Sequence, residues 1–139
     1  MTMRALTICQ PYAELIARGI KRVENRFWET RYRGPLLIHA GKSKKFLHGD
    51  NYGIPPAEMN WGAVVAIADV EACYHIAEIL EGPLPASHEF LRTHEHCEGP
   101  YCFVLGNIRR FKNPVPYKGA QGFFFIPKEL IEIGMPKAD

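Results

Sequence analysis

The sequence predicts an α+β fold: a small β-barrel of about six strands, closed or partly open, with a short N-terminal helix and one or two minor helices. Three observations carry this. Six or seven short apolar runs are separated by Gly and Pro breakers. Only one segment, near the N-terminus, has a clear helical period. There is no β–α alternation, internal repeat or heptad, so closing the strands on themselves is the economical way to protect their edges.

In chain order, Met3 to Ile8 reads as a strand. Pro11 fits the first turn of a helix, where its missing N–H costs nothing. Tyr12, Leu15 and Ile16 share one face of that helix, and Gly19 fits the position just past its end. Residues 20–28 read as extended, 31–35 as a turn and 36–40 as a central strand. A basic loop, 41–45, leads into an irregular stretch over 46–62. Ala63 to Tyr74 carries the longest strand signal. Residues 75–99 are acidic, rich in His and broken by Gly and Pro, with a short helix from a Ser87 cap to His94. Residues 101–105 form a strand that extends toward Phe111, 114–118 are extended, 123–126 form the last strand and 128–133 a final helical turn.

A length of 139 residues suits a single domain spanning 1–139. No apolar run reaches the ~18 residues of a membrane span, and Arg4 and Gln10 interrupt any signal-peptide core, so a cytoplasmic location is the default. Cys9, Cys73, Cys97 and Cys102 are irregularly spaced, which favours reduced thiols over a disulfide framework. Net charge is only +2, but it is lopsided. Residues 1–45 hold ten Lys/Arg against three Asp/Glu, and residues 46–139 hold seven against twelve. A basic front third points to an anionic partner such as nucleic acid or a nucleotide; ion pairing across the fold is the competing account.

Lys21, Glu24 and Arg26 are crowded just after the helix stop. Lys21 could hold an anionic or carbonyl oxygen while Glu24 orients the ammonium or takes a proton from water. Arg18, Arg22 and Arg26 are the cations that could lower the Lys21 pKa. On a regular strand Lys21 and Glu24 face opposite sides. They converge only if Lys21 lies in the turn after Gly19 or on a bulge. Arg26, Arg31, Arg33, Lys42, Lys44 and Lys45 are candidate phosphate contacts, with Tyr12, Trp28 and Tyr32 offering faces for base stacking. Lys118, with Gly119 and Gly122, could let backbone approach a ligand closely, and a plain strand-connecting loop explains them equally well.

Ser43 lacks the surroundings of a nucleophile. His94, His96, Cys97 and Cys102, with Cys73 and His75, match no zinc spacing, so no metal or other cofactor is expected. A solvated loop accounts better for the histidines of 94–97. His39 reads as a hydrogen-bonded barrel residue.

The blocks Gln10-Pro11-Tyr12-Ala13, Gly19 to Arg26 (with a G-x-K-x-x-E-x-R core) and Tyr32 to Ala40 resemble the ASCH family. So do Gly62 to Ala66 with Asp69, Phe103 to Leu105, and Pro114 to Gly119 with Gln121-Gly122. The resemblance covers nearly the whole chain and is weakest over 75–98. It implies a PUA-like β-barrel and a ligand cleft between the first helix and the barrel. It also implies binding of RNA or a nucleotide-like ligand, through Lys21, Glu24 and Arg26, with Tyr12, Arg33, Lys42 and Lys118 as further contacts. One branch of the family consists of amidohydrolases that deacylate acetylcytidine with this lysine, a threonine three residues later and a distant glutamate. Here the threonine position is Glu24, and Asp69 or Glu71 are candidates for the distant carboxylate. Lys21 and Glu24 are therefore the catalytic candidates of an amidohydrolase alternative. A metal-independent ribonuclease using the same charges is a weaker one.

Overall fold

The structure is a computed structural model that describes residues 1–135. Six strands form one mixed sheet: β1 (Thr2–Ile8), β2 (Val23–Arg26), β3 (Gly34–Ala40), β4 (Ala63–His75), β5 (Tyr101–Pro116) and β6 (Phe123–Pro127). Their spatial order is β2-β5-β4-β3-β1-β6. Only β1 and β3 pair in parallel, with Thr7 opposite His39. The backbone hydrogen bonds leave β2 and β6 as free edges, so this is the partly open form of the expected barrel.

Side chains close the seam that the backbone leaves open. Arg26 on edge strand β2 donates to the Thr7 carbonyl of β1, four places across the sheet, at 2.8 Å. Trp28, just beyond β2, wedges edge-on between Phe103 of β5 and Phe123 of β6, with ring centroids 5.1 and 5.0 Å away. Such curling requires the sheet to bend, and β4 and β5 do so at three register shifts.

The main core lies inside the curl. Leu6, Leu36, Ile38, Ala68, Phe103 and Leu105 meet Ala13 and Ile16 of helix α1 (Tyr12–Ala17). A second cluster on the opposite face joins Leu37, Ile67 and Phe111 to Ile131 of α3 (Lys128–Ile131). Covering both faces explains why every residue of β3 from Leu36 to Ala40 is buried, which reads in sequence as an unbroken apolar run.

Several elements differ from the sequence expectation. Residues 20–22 are a turn, and β2 is only four residues long. Strand β5 runs unbroken to Pro116. Asn107, at φ 46°, and the register shifts bend it without ending it. Helix α2 (Ile76–Glu81) was not expected; His75 and Glu78 form its capping box. The segment Ala86–Thr93 is 3-10 helix following Pro85, and Ser87 does not cap it.

Candidate nucleic-acid interface

The site begins with how α1 starts and stops. Gln10 is fully buried; its amide oxygen accepts the Glu14 N–H at 2.9 Å, and its amide nitrogen donates to the Asn60 carbonyl at 2.9 Å. Pro11 immediately precedes the helix. At the other end Gly19 adopts φ 76°, with Gly19 N–H donating to the Ile16 carbonyl and Ile20 N–H to the Leu15 carbonyl. This is a Schellman stop, which reverses the chain sharply. The Lys21 N–H also donates to the Leu15 carbonyl, so Lys21 belongs to the turn and β2 starts two residues later.

That turn brings Lys21 round to Glu24. Lys21 Nζ stands 3.0 Å from Glu24 Oε1 and also donates to the Val23 carbonyl. Glu24 Oε2 forms an ion pair with Arg26 Nη2, 2.9 Å away. One carboxylate is thus shared between two cations, leaving a net single positive charge. Lys21 is 3% exposed and Glu24 8%, so this is a desolvated cluster and not a surface ion pair.

These residues form one wall of a cleft of about 430 Å³. Tyr12, Phe27 and Phe46 line it, together with Thr7, Lys45, His96 and Glu98. Tyr12 packs edge-on to Phe46, and Phe27 is 90% exposed at the rim. Burial, followed by the neighbouring Tyr52 hydroxyl, raises the Tyr12 pKa. Among the described residues, Arg26 Nε and His96 Nε2 are buried side-chain atoms without a hydrogen-bond partner. The Glu95 carboxylate is 3.7 Å from His96 Nε2, beyond hydrogen-bonding reach. The third such atom, Arg4 Nε, belongs to a guanidinium stacked on Tyr32 and is not part of this cleft.

The 94–98 segment, expected to be a solvated loop, is a wall of the cleft. Asn25 clamps it: its amide donates to the His96 carbonyl at 2.8 Å, and its oxygen accepts the N–H groups of Glu98 and Gly99. His94 Nε2 accepts the Arg22 N–H at 3.0 Å. Burial lowers the pKa of both histidines; His96 and then Lys21 depress His94 further, and Lys21 depresses His96. Sequence reasoning missed His96, Glu98, Phe27 and Phe46. The only signal was the motif asparagine Asn25, whose partners lie more than 70 residues away.

The remaining candidates are dispersed. Arg18 is held by Glu14 at 2.7 Å and by Glu58. Arg22 stacks on Phe90. Tyr32 lies under Arg4 and against Phe123, so both its neighbours are barrel packing, and Arg33 donates to the Thr30 and Tyr32 carbonyls in the β2–β3 turn. Arg31 is exposed in the same turn. Lys44 lies over Trp61, while exposed Ser43 accepts the Lys45 N–H. Asp69 pairs with Asn107, and the Glu71 carboxylate lies over Gly106, so neither lines the cleft. Lys42 and Lys118 line a different cleft, with His39. The four cysteines are free thiols; Cys97 Sγ lies 3.7 Å from Cys102 Sγ, and no group of three metal-ligating side chains occurs among the described residues. No helix among them is long and apolar enough to cross a membrane.

Comparison with known proteins agrees with this architecture. Human activating signal cointegrator 1 is 28% identical over 127 residues, which is 82% of this chain and 20% of that protein. The mouse protein of the same name is 57% identical over a 35-residue stretch, 25% of this chain and 6% of that one. The chain thus spans about a fifth of the length of the human relative. Among solved structures, an ASCH protein of Zymomonas mobilis superposes with a TM-score of 0.55 at 14% identity, covering 94% of this chain and 91% of that one. A tyrosine-to-phenylalanine mutant of that bacterial protein gives 0.56 at 14% identity over 96% of both chains. At that identity the likeness shows the fold alone, a small α+β fold. The ASCH domain model matches residues 6–114, and the chain belongs to the ASCH family.

Proposed function

We propose that the protein binds RNA or a nucleotide-like ligand in the cleft between α1 and the curled sheet. The observation that carries this is the pair of unpartnered buried nitrogens, Arg26 Nε and His96 Nε2, on walls of the same cleft. A buried polar atom without a partner costs about 1–3 kcal/mol, a cost that a ligand offering both acceptor and donor groups removes. The rest of the cleft suits that ligand. Lys21, Arg26 and Lys45 face an anion, and Tyr12, Phe27 and Phe46 offer ring surface for a base. Glu24 keeps Lys21 and Arg26 aimed before the ligand arrives, which reduces the ordering cost of binding.

Fluorescence anisotropy of labelled single-stranded RNA, titrated at several salt concentrations, tests this. Saturable binding whose affinity falls linearly on a log–log salt plot, and which Lys21→Ala weakens, is the expected result. Absence of saturable binding overturns it.

A second reading is an amidohydrolase on acylated cytidine. It is favoured by the 3.0 Å contact of Lys21 with Glu24 and by Glu98 on the same cleft. With Glu24 at the threonine position, water would attack the acyl carbon. Glu24 would take its proton and pass it to the leaving amine, and Lys21 would hold the carbonyl oxygen. Incubation with acetylcytidine separates the two: cytidine release that Lys21→Ala abolishes establishes the hydrolase. Cleavage of the labelled RNA without metal would instead reveal a ribonuclease.

A further inference from the structure

Thr7 lines two clefts. Its carbonyl is held by Arg26 on the side described above. The second cleft, of about 660 Å³, opens on the Thr7 and His39 side chains, between the loop after β3 and the loop after β5. Lys42 and Lys118 line it, and no carboxylate does. Among the described residues neither lysine has an ion-pair partner within 4.0 Å, unlike Lys21.

The cleft is held in shape. His39, 1% exposed, has its Nε2 2.6 Å from the Tyr117 carbonyl, and a carbonyl only accepts, so this nitrogen carries the proton. In the neutral ring Nδ1 then accepts from the Thr7 hydroxyl, 3.0 Å away. The 117–119 loop is thereby tied to the sheet. Gly119 lies so close that a Cβ there would stand 2.7 Å from Thr7 Oγ1. Gly62 does the same for Lys42: a Cβ would stand 2.6 Å from Lys42 Cε, so the lysine stem runs over the glycine backbone. A volume of this size takes a ligand fragment and not a lone anion.

Resting on the reading of the first cleft, we propose that the ligand is a single-stranded oligonucleotide and not an isolated nucleoside. One nucleotide occupies the Lys21 cleft, and the strand crosses Thr7 so that an adjoining backbone phosphate lies between Lys42 and Lys118. The two clefts share Thr7 of β1 in their linings, so a strand leaving one reaches the other across a single residue. The unpaired ammonium groups supply the charge that a phosphate diester requires.

The test compares a labelled oligoribonucleotide of about ten nucleotides, within the range one small fold covers, with a nucleoside monophosphate. The Lys42→Gln/Lys118→Gln variant is expected to bind the oligonucleotide about tenfold more weakly. Its log–log salt slope should be shallower by about 0.7, for one lost phosphate contact on a single strand. Monophosphate binding should be unchanged, while Lys21→Ala weakens both ligands. Unchanged oligonucleotide affinity and slope in the double variant overturns the second cleft but leaves the first intact. An equal loss for the monophosphate also overturns it, because the lysines then act only as a general field. If the wild-type protein retains no oligonucleotide, the first reading itself has failed. Lys42→Arg/Lys118→Arg restores oligonucleotide affinity if phosphate contact is the cause.

Discussion

Lys21 and Glu24 are three residues apart in the chain and 3.0 Å apart in space, because Lys21 still belongs to the turn closing α1 while Glu24 is already on β2. Glu24 in turn shares its second oxygen with Arg26. Removing the anion therefore strands two cations, whereas removing Lys21 leaves the Glu24–Arg26 pair intact. Glu24→Ala is expected to cost about 3 kcal/mol, the usual cost of breaking a buried pair by deleting one partner. Lys21→Met should cost clearly less. Urea unfolding of the two variants checks the order; equal losses would mean that the three charges do not act as a unit.

The turn itself can be tested without touching a charge. Gly19 adopts φ 76° with open space around its Cα. Gly19→Ala therefore meets no clash, only the left-handed backbone penalty of about 1 kcal/mol. Gly19→Asn should cost less, since Asn tolerates that region. If the turn is what aims Lys21, Gly19→Ala also weakens ligand binding, although the residue lies outside the cleft lining. Intact affinity at reduced stability would separate the two roles.

His39, His94 and His96 all have pKa values lowered, first by burial. As pH falls through the ordinary histidine value of about 6.5, the unfolded chain takes up these protons before the folded one does. The three groups therefore leave stability undiminished above that pH and reduce it below. Thermal melts should show Tm falling between pH 7 and pH 5.5. The His96→Gln variant should have a shallower dependence, and an equally steep one would remove His96 from the account.

The start and stop of α1, the β3 core strand and the charge cluster after Gly19 were all legible, because each rests on chemistry local in sequence: helical period, a glycine, an unbroken apolar run. The conditional placement of Lys21 was legible too, since strand geometry demanded an irregular backbone there. What escaped rests on contacts distant in sequence. Nothing near His96 reveals that Asn25 clamps its segment from 71 residues away. Lys42 and Lys118 carried no mark of belonging to a cleft other than that of Lys21, because the register of β1, β3 and β5 decides it. The length of β5 was hidden by Asn107 and Pro114, which usually break strands and here sit in a bent one.

Phe27 and Trp28 are adjacent, and by sequence only Trp28 stood out as a face for base stacking. Both line the cleft, but only Trp28 is also packed into the fold. Trp28 is wedged between Phe103 and Phe123, where it closes the seam between the two free edges of the sheet. Phe27 is 90% exposed on the cleft rim. Trp28→Ala opens a cavity beside the fully buried Phe103 and should cost about 3–4 kcal/mol. Phe27→Ala should change stability by less than about 0.5 kcal/mol, as exposed positions do. It should also weaken RNA binding by about 1–3 kcal/mol if the ring stacks on a base. Paired urea-unfolding and anisotropy measurements on the two variants decide this. A Phe27→Ala protein that binds RNA as well as the wild type would leave Tyr12, Trp28 and Phe46 as the stacking surface. A Trp28→Ala protein of undiminished stability would mean that the seam is held by Arg26 and Thr7 alone.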